Sequence, residues 1–185
     1  CLPEDAAVAV LPSNVTYGEA AAVCDGGLTA MAFLTDHARL QSGESVLVNG
    51  ASGSVGSAAV QLASAFGATV TGVCSTANVE LVRALGAETV IDYTVTDFTT
   101  TGETYDVVFD AVGKRSFSAC KDSLAPGGRY LTTVLSARNL LQTAWTRLVG
   151  DRRAIFAATG LASPSTKRAH LVELRSLVEA DAFQP

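Results

Sequence analysis

Apolar residues along the chain alternate between two patterns. Short apolar runs, typical of strands buried on both faces, are separated by stretches in which apolar residues recur every three or four positions, as in amphipathic helices. Strands are predicted at residues 46–48, 69–74, 89–92, 105–110, 129–133 and 154–158. Helices are predicted from Tyr17 and over 28–40, 55–66, 79–85, 117–124, 137–149 and 166–180. This alternation predicts an α/β Rossmann fold, a doubly wound parallel sheet of about six strands with helices on both faces.

The turn after the first strand carries the strongest chemical signal. It contains Gly50, Gly53 and Gly56, spaced three apart, and an amphipathic helix follows. Glycines let a backbone approach a pyrophosphate, and a helix N-terminus offers it free N–H groups. Asn49-Gly50 is also a hairpin signal, but no alternating strand follows it. Of the two alternatives to a dinucleotide site, a hairpin and a glycine-rich turn that binds nothing, the second is the stronger.

Ligands of doubly wound sheets bind beyond the carboxyl ends of the strands. The candidate site therefore comprises residues 50–56, 75–78, 93, 111–113 and 134–136. Asp110, at the end of the fourth strand, is interpreted as structural. The polar segment 94–103 is interpreted as a surface loop to which no chemistry is assigned.

The end of the second strand bears on the choice of nucleotide. An acidic residue there usually binds the ribose 2′-hydroxyl of NAD, but no acid follows Ser75 until Glu80. Since a carboxylate would repel a 2′-phosphate and Ser75 could donate a hydrogen bond to it, the sequence favours NADPH over NADH. No Lys or Arg lies in this loop, and the nearest is Arg83. The alternative role of Ser75 is to cap the helix that follows.

Composition narrows the class of protein. The 185 residues can form one sizeable core, and a net charge of −5 argues against nucleic acid or an anionic membrane as the main partner. No apolar run approaches the length of a membrane span. Four scattered cysteines, Cys1, Cys24, Cys74 and Cys120, are interpreted as small buried apolar residues, and a reducing, cytoplasmic setting is predicted.

Several motifs occur in an order that identifies a family resemblance. They are residues 19–22, 27–30, 49–56, 73–75, 85–87, 90–93, 109–113 and 126–130. In this order they resemble the cofactor domain of the medium-chain dehydrogenase/reductase superfamily, and most of all its zinc-independent NADPH quinone oxidoreductases. The resemblance implies hydride transfer from NADPH to a quinone or an α,β-unsaturated carbonyl. Alternatives are an enoyl-thioester reductase, an alcohol dehydrogenase of the same superfamily, or a non-catalytic nucleotide-binding module.

The resemblance also implies roles for particular residues. Ser52, Ser54 and Val55 would lie on the pyrophosphate, although Ser54 replaces the usual glycine, and Ser75 and Tyr93 would surround the 2′-phosphate and adenosine. Gly53 and Val112 complete the predicted cofactor-binding set. The alternative for Tyr93 is a ring packed at a strand end. Zinc-dependent relatives have a cysteine ligand near the position of Cys24, but neither histidine has a partner at ligand spacing, so no metal is predicted.

The resemblance finally implies a domain organisation. Residues 1–15 would be the remnant of an interdomain connection and 16–185 the NAD(P)-binding domain, without the N-terminal barrel-like catalytic domain of the family. The chain is therefore expected to be a fragment with little or no activity alone. Relatives pair the edge of the sixth strand across a two-fold axis, which predicts a homodimer.

Overall fold

A computed structural model describes residues 6–134, 137–146, 150–157 and 162–185 and confirms the doubly wound α/β fold. Its strands are β1 Ser45–Asn49, β2 Thr69–Cys74, β3 Thr89–Asp92, β4 Tyr105–Asp110, β5 Leu124–Thr132 and β6 Arg153–Phe156. All pairings are parallel, in the order β3-β2-β1-β4-β5-β6. Because the strand order reverses at β1, the carboxyl ends of β1, β2 and β4 border the crevice in which such sheets bind ligands.

Helices cover both faces of the sheet. They are α1 Tyr17–Ala22, α2 Leu28–Ala32, α3 Ser54–Ala65, α4 Val79–Ala84, α5 Phe117–Cys120, α6 Ala137–Thr146 and α7 Pro164–Glu179. Val48 belongs to the apolar cluster that includes α2, α3 and α7, whereas Leu47 belongs to the cluster that includes Phe117 of α5. Neighbouring residues of one strand thus enter opposite cores, which explains the uninterrupted apolar runs.

The two predicted N-terminal helices form one continuous helical run. Its start is capped as predicted, since Thr16 Oγ1 accepts from the Glu19 N–H (3.3 Å) and Glu19 accepts from the Thr16 N–H (2.7 Å). A π-helical turn, Val23–Gly27, joins α1 to α2, and a second, Phe33–Ala38, extends α2. The first π turn packs on α3 so closely that a Cβ on Gly26 would lie 2.6 Å from the carbonyl oxygen of Ser54.

The prediction for residues 117–133 is partly wrong. The helix ends at Cys120, a 3₁₀ turn follows at Lys121–Ser123, and β5 begins at Leu124. Residues 126–128, between the predicted helix and the predicted strand, lie inside β5, where the register with β4 shifts between Tyr105 and Val107. Pro126 interrupts the regular pairing because it has no N–H to donate to the neighbouring strand.

The cysteine interpretation holds for two residues and is wrong for one. Cys74 and Cys120 are free and buried, but Cys24 is free and exposed in the first π turn, and Cys1 lies outside the described residues. Burial raises the pKa of the Cys120 thiol to about 12, so this side chain stays protonated. In the part of the chain that the structure describes, no helix is long and apolar enough to cross a membrane.

Helix α6 covers the outer edge of β6. The backbone N–H of Ala154 donates to Thr146 Oγ1 (3.0 Å), and that of Phe156 donates to Thr143 Oγ1 (3.2 Å). Trp145 of the same helix is exposed. The edge predicted to pair with a second copy therefore already has two of its backbone donors bonded.

Some residues of the predicted segments lie outside the described residues. They are positions 135, 136, 147–149 and 158.

A buried carboxylate joins the carboxyl ends of β1, β4 and β5. Asp110 has no exposed surface. It accepts hydrogen bonds from the Asn49 side chain (2.9 Å) and from three backbone N–H groups, those of Val112 (3.2 Å), Gly113 (2.9 Å) and Arg115 (3.0 Å). The Tyr130 hydroxyl of β5 lies 3.2 Å from Asp110 and 2.6 Å from the Arg115 carbonyl oxygen. Burial raises the pKa of Tyr130, so this hydroxyl keeps its proton as a donor.

Removing this carboxylate should destabilise the fold strongly. We expect Asp110→Ala to lower the free energy of unfolding by at least about 3 kcal/mol, because several buried N–H groups lose their acceptor. The exposed Asp122 is the matched control, and Asp122→Ala should stay within about 0.5 kcal/mol of the wild type. Urea denaturation measures both, and equal stabilities of the two variants would contradict the role of Asp110.

Candidate functional site

A cavity of about 430 Å³ opens at the carboxyl ends of β1, β2 and β4. Its lining comes from the loops that follow four neighbouring strands, β1 to β4. The lining residues are Asn49, Gly50, Ser52, Gly53, Val73, Cys74, Ser75, Asn78, Tyr93, Asp97, Phe98, Val112, Lys114 and Arg115. The cavity thus lies at the edge of the sheet for which the site is predicted, and five of the seven predicted cofactor-binding residues line it.

Close packing explains the outer glycines of the turn. Gly50 has a φ of +85°, and a Cβ there would overlap the Val112 side chain. A Cβ on Gly56 would overlap the carbonyl oxygen of Gly50, whereas one on Gly53 would lie 3.5 Å from that same oxygen. Gly50 and Gly56 are therefore needed to form the turn. The fold does not exclude a Cβ on Gly53 sterically, and the absence of a side chain leaves room there for a ligand.

The other two predicted residues, Ser54 and Val55, do not line the cavity. They occupy the first turn of α3, where Gly53 stands at the N-cap and no side chain caps the helix. The first N–H groups of an α-helix have no partner within the helix, and they stabilise an anion. What Ser54 and Val55 can offer a pyrophosphate is their backbone N–H groups.

Ser75 stands at the end of β2 with its hydroxyl available. It occupies the N-cap position of the following 3₁₀ turn, as the capping alternative has it, but its side chain makes no capping hydrogen bond. The Asn78 side chain instead donates to Ser52 (3.1 Å) and Ser75 (3.3 Å). Asn78 therefore connects the glycine turn to the end of β2, and it leaves both serine hydroxyl protons free to donate to a ligand.

Tyr93 extends away from the sheet. Its backbone N–H donates to the Cys74 carbonyl (3.0 Å), but the side chain is 60% exposed. The alternative of a ring packed at the strand end is therefore wrong. Tyr93 lines the cavity together with Ser75.

An acidic residue lies closer to the end of β2 than the sequence indicates. Asp92, from the neighbouring strand β3, accepts hydrogen bonds from the Thr76 hydroxyl (2.5 Å) and from the N–H (2.9 Å) and hydroxyl (2.7 Å) of Thr94. These bonds, that of Thr76 above all, lower the pKa of Asp92. Both oxygens of this carboxylate are engaged, and Asp92 is not among the residues that line the cavity.

The segment 94–103 contributes to the site, contrary to the prediction. Phe98 is buried, and Asp97 and Phe98 form part of the cavity wall. The Arg115 guanidinium donates to Asp97 (2.8 Å) and lies 5.6 Å from the centre of the Phe98 ring. This contact joins the loop after β3 to the loop after β4, a long-range pairing that a polar, threonine-rich sequence does not reveal.

The two cations of the cavity lie outside the segments predicted to form the site. Lys114 and Arg115 directly follow the predicted segment 111–113, so extending that segment by two residues would have found them. Arg83, the nearest cation in sequence, forms an exposed ion pair with Glu80 (2.8 Å) and does not line the cavity.

The described residues do not form a metal site. They contain no group of three or more His, Cys, Asp or Glu side chains that could hold an ion. Cys24 and Asp25 are exposed in the first π turn. The His170 side chain lies 3.3 Å from that of Asp36, which belongs to the second π turn, after α2.

Comparison with known proteins decides the family. A family model described as zinc-binding dehydrogenase matches residues 54–174, more than half of the chain. The chain belongs to this family.

Relatives within this family are reductases by name. The chain is 42% identical over 113 residues to a 2-methylene-furan-3-one reductase of Solanum lycopersicum, covering 60% of the chain and 29% of the relative. It is 32% identical over 153 residues to a chloroplastic quinone oxidoreductase of Triphysaria versicolor, covering 78% and 46%. A quinone oxidoreductase structure from Pseudomonas syringae superposes with a TM-score of 0.81 at 27% identity, covering 95% and 57%. The chain thus spans less than half the length of these two curated relatives.

Two alanine substitutions test which glycine the packing of the turn requires. Gly56→Ala should lower the free energy of unfolding by roughly 2–3 kcal/mol, because its Cβ overlaps the Gly50 carbonyl oxygen. Gly53→Ala, the matched control, should cost within about 1 kcal/mol, since its φ of −82° suits alanine. Urea denaturation tests both, and a Gly56→Ala protein as stable as Gly53→Ala would refute the packing argument.

Proposed function

We propose that the chain binds NADPH in the cavity at the carboxyl ends of β1, β2 and β4 and serves a reductase of quinones or α,β-unsaturated carbonyl compounds. The single observation that carries this proposal is the cavity, bordered by a tightly packed glycine turn and the uncapped end of α3, in a chain of this family. When bound, the nicotinamide supplies the hydride, and the protein supplies binding and orientation.

Each predicted residue has a role in this proposal that its position supports. Ser52 and Gly53 approach the pyrophosphate, together with the backbone N–H groups of Ser54 and Val55. Ser75 and Tyr93, neighbours on the cavity wall, approach the 2′-phosphate and adenosine. Val112 lies over Gly50 and offers an apolar surface beside the turn. No side chain is assigned a proton-transfer role, because the hydrogen bonds of Asp110 all go to groups of the fold.

The choice of NADPH rests on two features of the chain. Ser75 follows β2 in place of an acid, and its hydroxyl proton is free. One relative, 38% identical over 118 residues, is named an NADPH-dependent alkenal/one oxidoreductase, from Arabidopsis thaliana. These features support NADPH over NADH.

The substrate class rests on the named relatives. A furanone reductase, quinone oxidoreductases and an alkenal/one oxidoreductase all act, by name, on quinones or conjugated carbonyl compounds. Enoyl reductases are the second candidate, since a trans-enoyl reductase of Aspergillus terreus is 37% identical over 134 residues. Oxidation of NADPH at 340 nm by a full-length version of the protein, with a benzoquinone, an enone and an enoyl thioester, separates these candidates, and oxidation by none of them would remove support for a quinone or enone substrate.

Three other expectations remain predictions. They concern the division between a cofactor domain and a separate catalytic domain, the cytoplasmic setting, and the homodimer through β6. For the dimer the structure adds a condition. Because Thr143 and Thr146 of α6 accept the N–H groups of Phe156 and Ala154, pairing a second copy on that edge requires α6 to move away first.

A charge at the end of β2 tests the cofactor assignment. Ser75→Asp should weaken NADPH binding by at least about tenfold, because a carboxylate would face the 2′-phosphate. NADH binding should change less than about threefold, since NADH has no phosphate there. Calorimetric titration with each nucleotide measures the two affinities.

Ser75→Ala is the control, since it removes the hydroxyl without adding charge. It should weaken NADPH binding only about five- to tenfold, which corresponds to one lost hydrogen bond. A wild-type chain that binds NADH at least as tightly as NADPH would overturn the cofactor assignment. Equal losses for both nucleotides in Ser75→Asp would place Ser75 away from the 2′-phosphate.

A further inference from the structure

We propose that Lys114, from the loop after β4, supplies the positive charge that binds the 2′-phosphate, a role that no residue of the β2 loop can fill. This inference rests on the proposed binding of NADPH in the same cavity. It is carried by the charges that line the cavity and by the way in which the fold presents Lys114.

Three charged side chains line the cavity among the residues that the structure describes: Asp97, Lys114 and Arg115. Asp97 and Arg115 form an ion pair (2.8 Å), and Arg115 also stacks against Phe98. Their charges cancel, and the guanidinium would have to leave two partners to reach a ligand. Lys114 is exposed and has no partner within the described chain, so its ammonium is the uncompensated charge of the cavity.

The backbone that carries Lys114 is held firmly. Asp110 accepts the N–H groups on both sides of it, those of Gly113 (2.9 Å) and Arg115 (3.0 Å). Gly113 has a φ of +74°, and a Cβ there would overlap the Val134 side chain. A buried carboxylate and a tightly packed glycine therefore fix the point from which this long side chain extends.

Lys114 and Ser75 line the same cavity, in loops that follow β4 and β2. β2 and β4 are the two neighbours of β1, so the ends of these strands lie about 10 Å apart. Because a lysine has a flexible four-carbon stem, its ammonium can turn toward a phosphate bound near Ser75. Lys114 and Ser75 would then approach the phosphate from opposite walls of the cavity.

The negative charge of the surroundings makes this lysine more important. The chain has a net charge of −5, and the pKa of Asp92 at the neighbouring strand end is lowered, so that carboxylate stays ionised. A 2′-phosphate would meet net repulsion without a cation in the cavity. The loop of β2 between Ser75 and Asn78 contains none.

The test compares two small ligands that differ by one phosphate, 2′,5′-ADP and 5′-AMP. Lys114→Met keeps the length of the side chain and removes its charge. We expect it to weaken 2′,5′-ADP binding about tenfold and to change 5′-AMP binding less than about twofold, as for the loss of one charge-assisted contact. Lys114→Arg should restore the affinity to within about threefold, and Lys121→Met, an exposed lysine outside the cavity, is the matched control.

Salt gives a second readout, because Lys114→Met should bind 2′,5′-ADP with a weaker dependence on ionic strength than the wild type. Losses that are equal for 2′,5′-ADP and 5′-AMP, or no loss beyond that of Lys121→Met, would overturn the inference while leaving NADPH binding intact. A wild-type chain that binds 2′,5′-ADP no better than 5′-AMP would overturn the assignment of NADPH itself, and with it the role of Lys114.

Discussion

The hydrogen bonds of the buried Asp110 carboxylate hold the candidate site together. This one side chain accepts hydrogen bonds from Asn49 at the end of β1 and from backbone N–H groups of the loop after β4. It also lies beside the Tyr130 hydroxyl of β5. A fully buried carboxylate is stable only when such donors surround it. The same bonds place Val112 against the glycine turn and leave Lys114 exposed at the cavity. The stability of the fold and the proposed nucleotide binding therefore depend on the same interaction.

The glycine turn applies a steric constraint to the same region. Gly50 and Gly56 allow the chain to fold back on itself, and the N–H groups of Gly50 and Ala51 donate to the Val73 carbonyl of β2 (3.0 Å each). The turn is thereby fixed to β2 on one side and to the loop after β4 on the other. The uncapped N-terminus of α3 follows directly, so the fold itself presents an electropositive end at the cavity.

Local patterns predicted the sheet, because buried parallel strands have strong sequence signals, and the glycine turn indicated the sheet edge at which the cavity lies. They correctly bounded β2, β3 and β4, and Ser75 and Tyr93 line the cavity. The errors arose from contacts between distant segments. Phe98 is buried by a loop with a polar sequence, and Arg115 pairs with Asp97 across 18 positions. Periodicity within one element carries no information about such pairs.

The most direct test of this account is an NMR titration of the ¹⁵N-labelled chain, which at 19.0 kDa is a suitable size, with NADPH. We expect the largest amide shift changes in three segments that border the cavity, at residues 52–56, 75–78 and 112–115. The amides of α7, which contributes no residue to the cavity wall, should move least. Shift changes concentrated in α7, or none at saturating NADPH, would contradict the assignment of the nucleotide site.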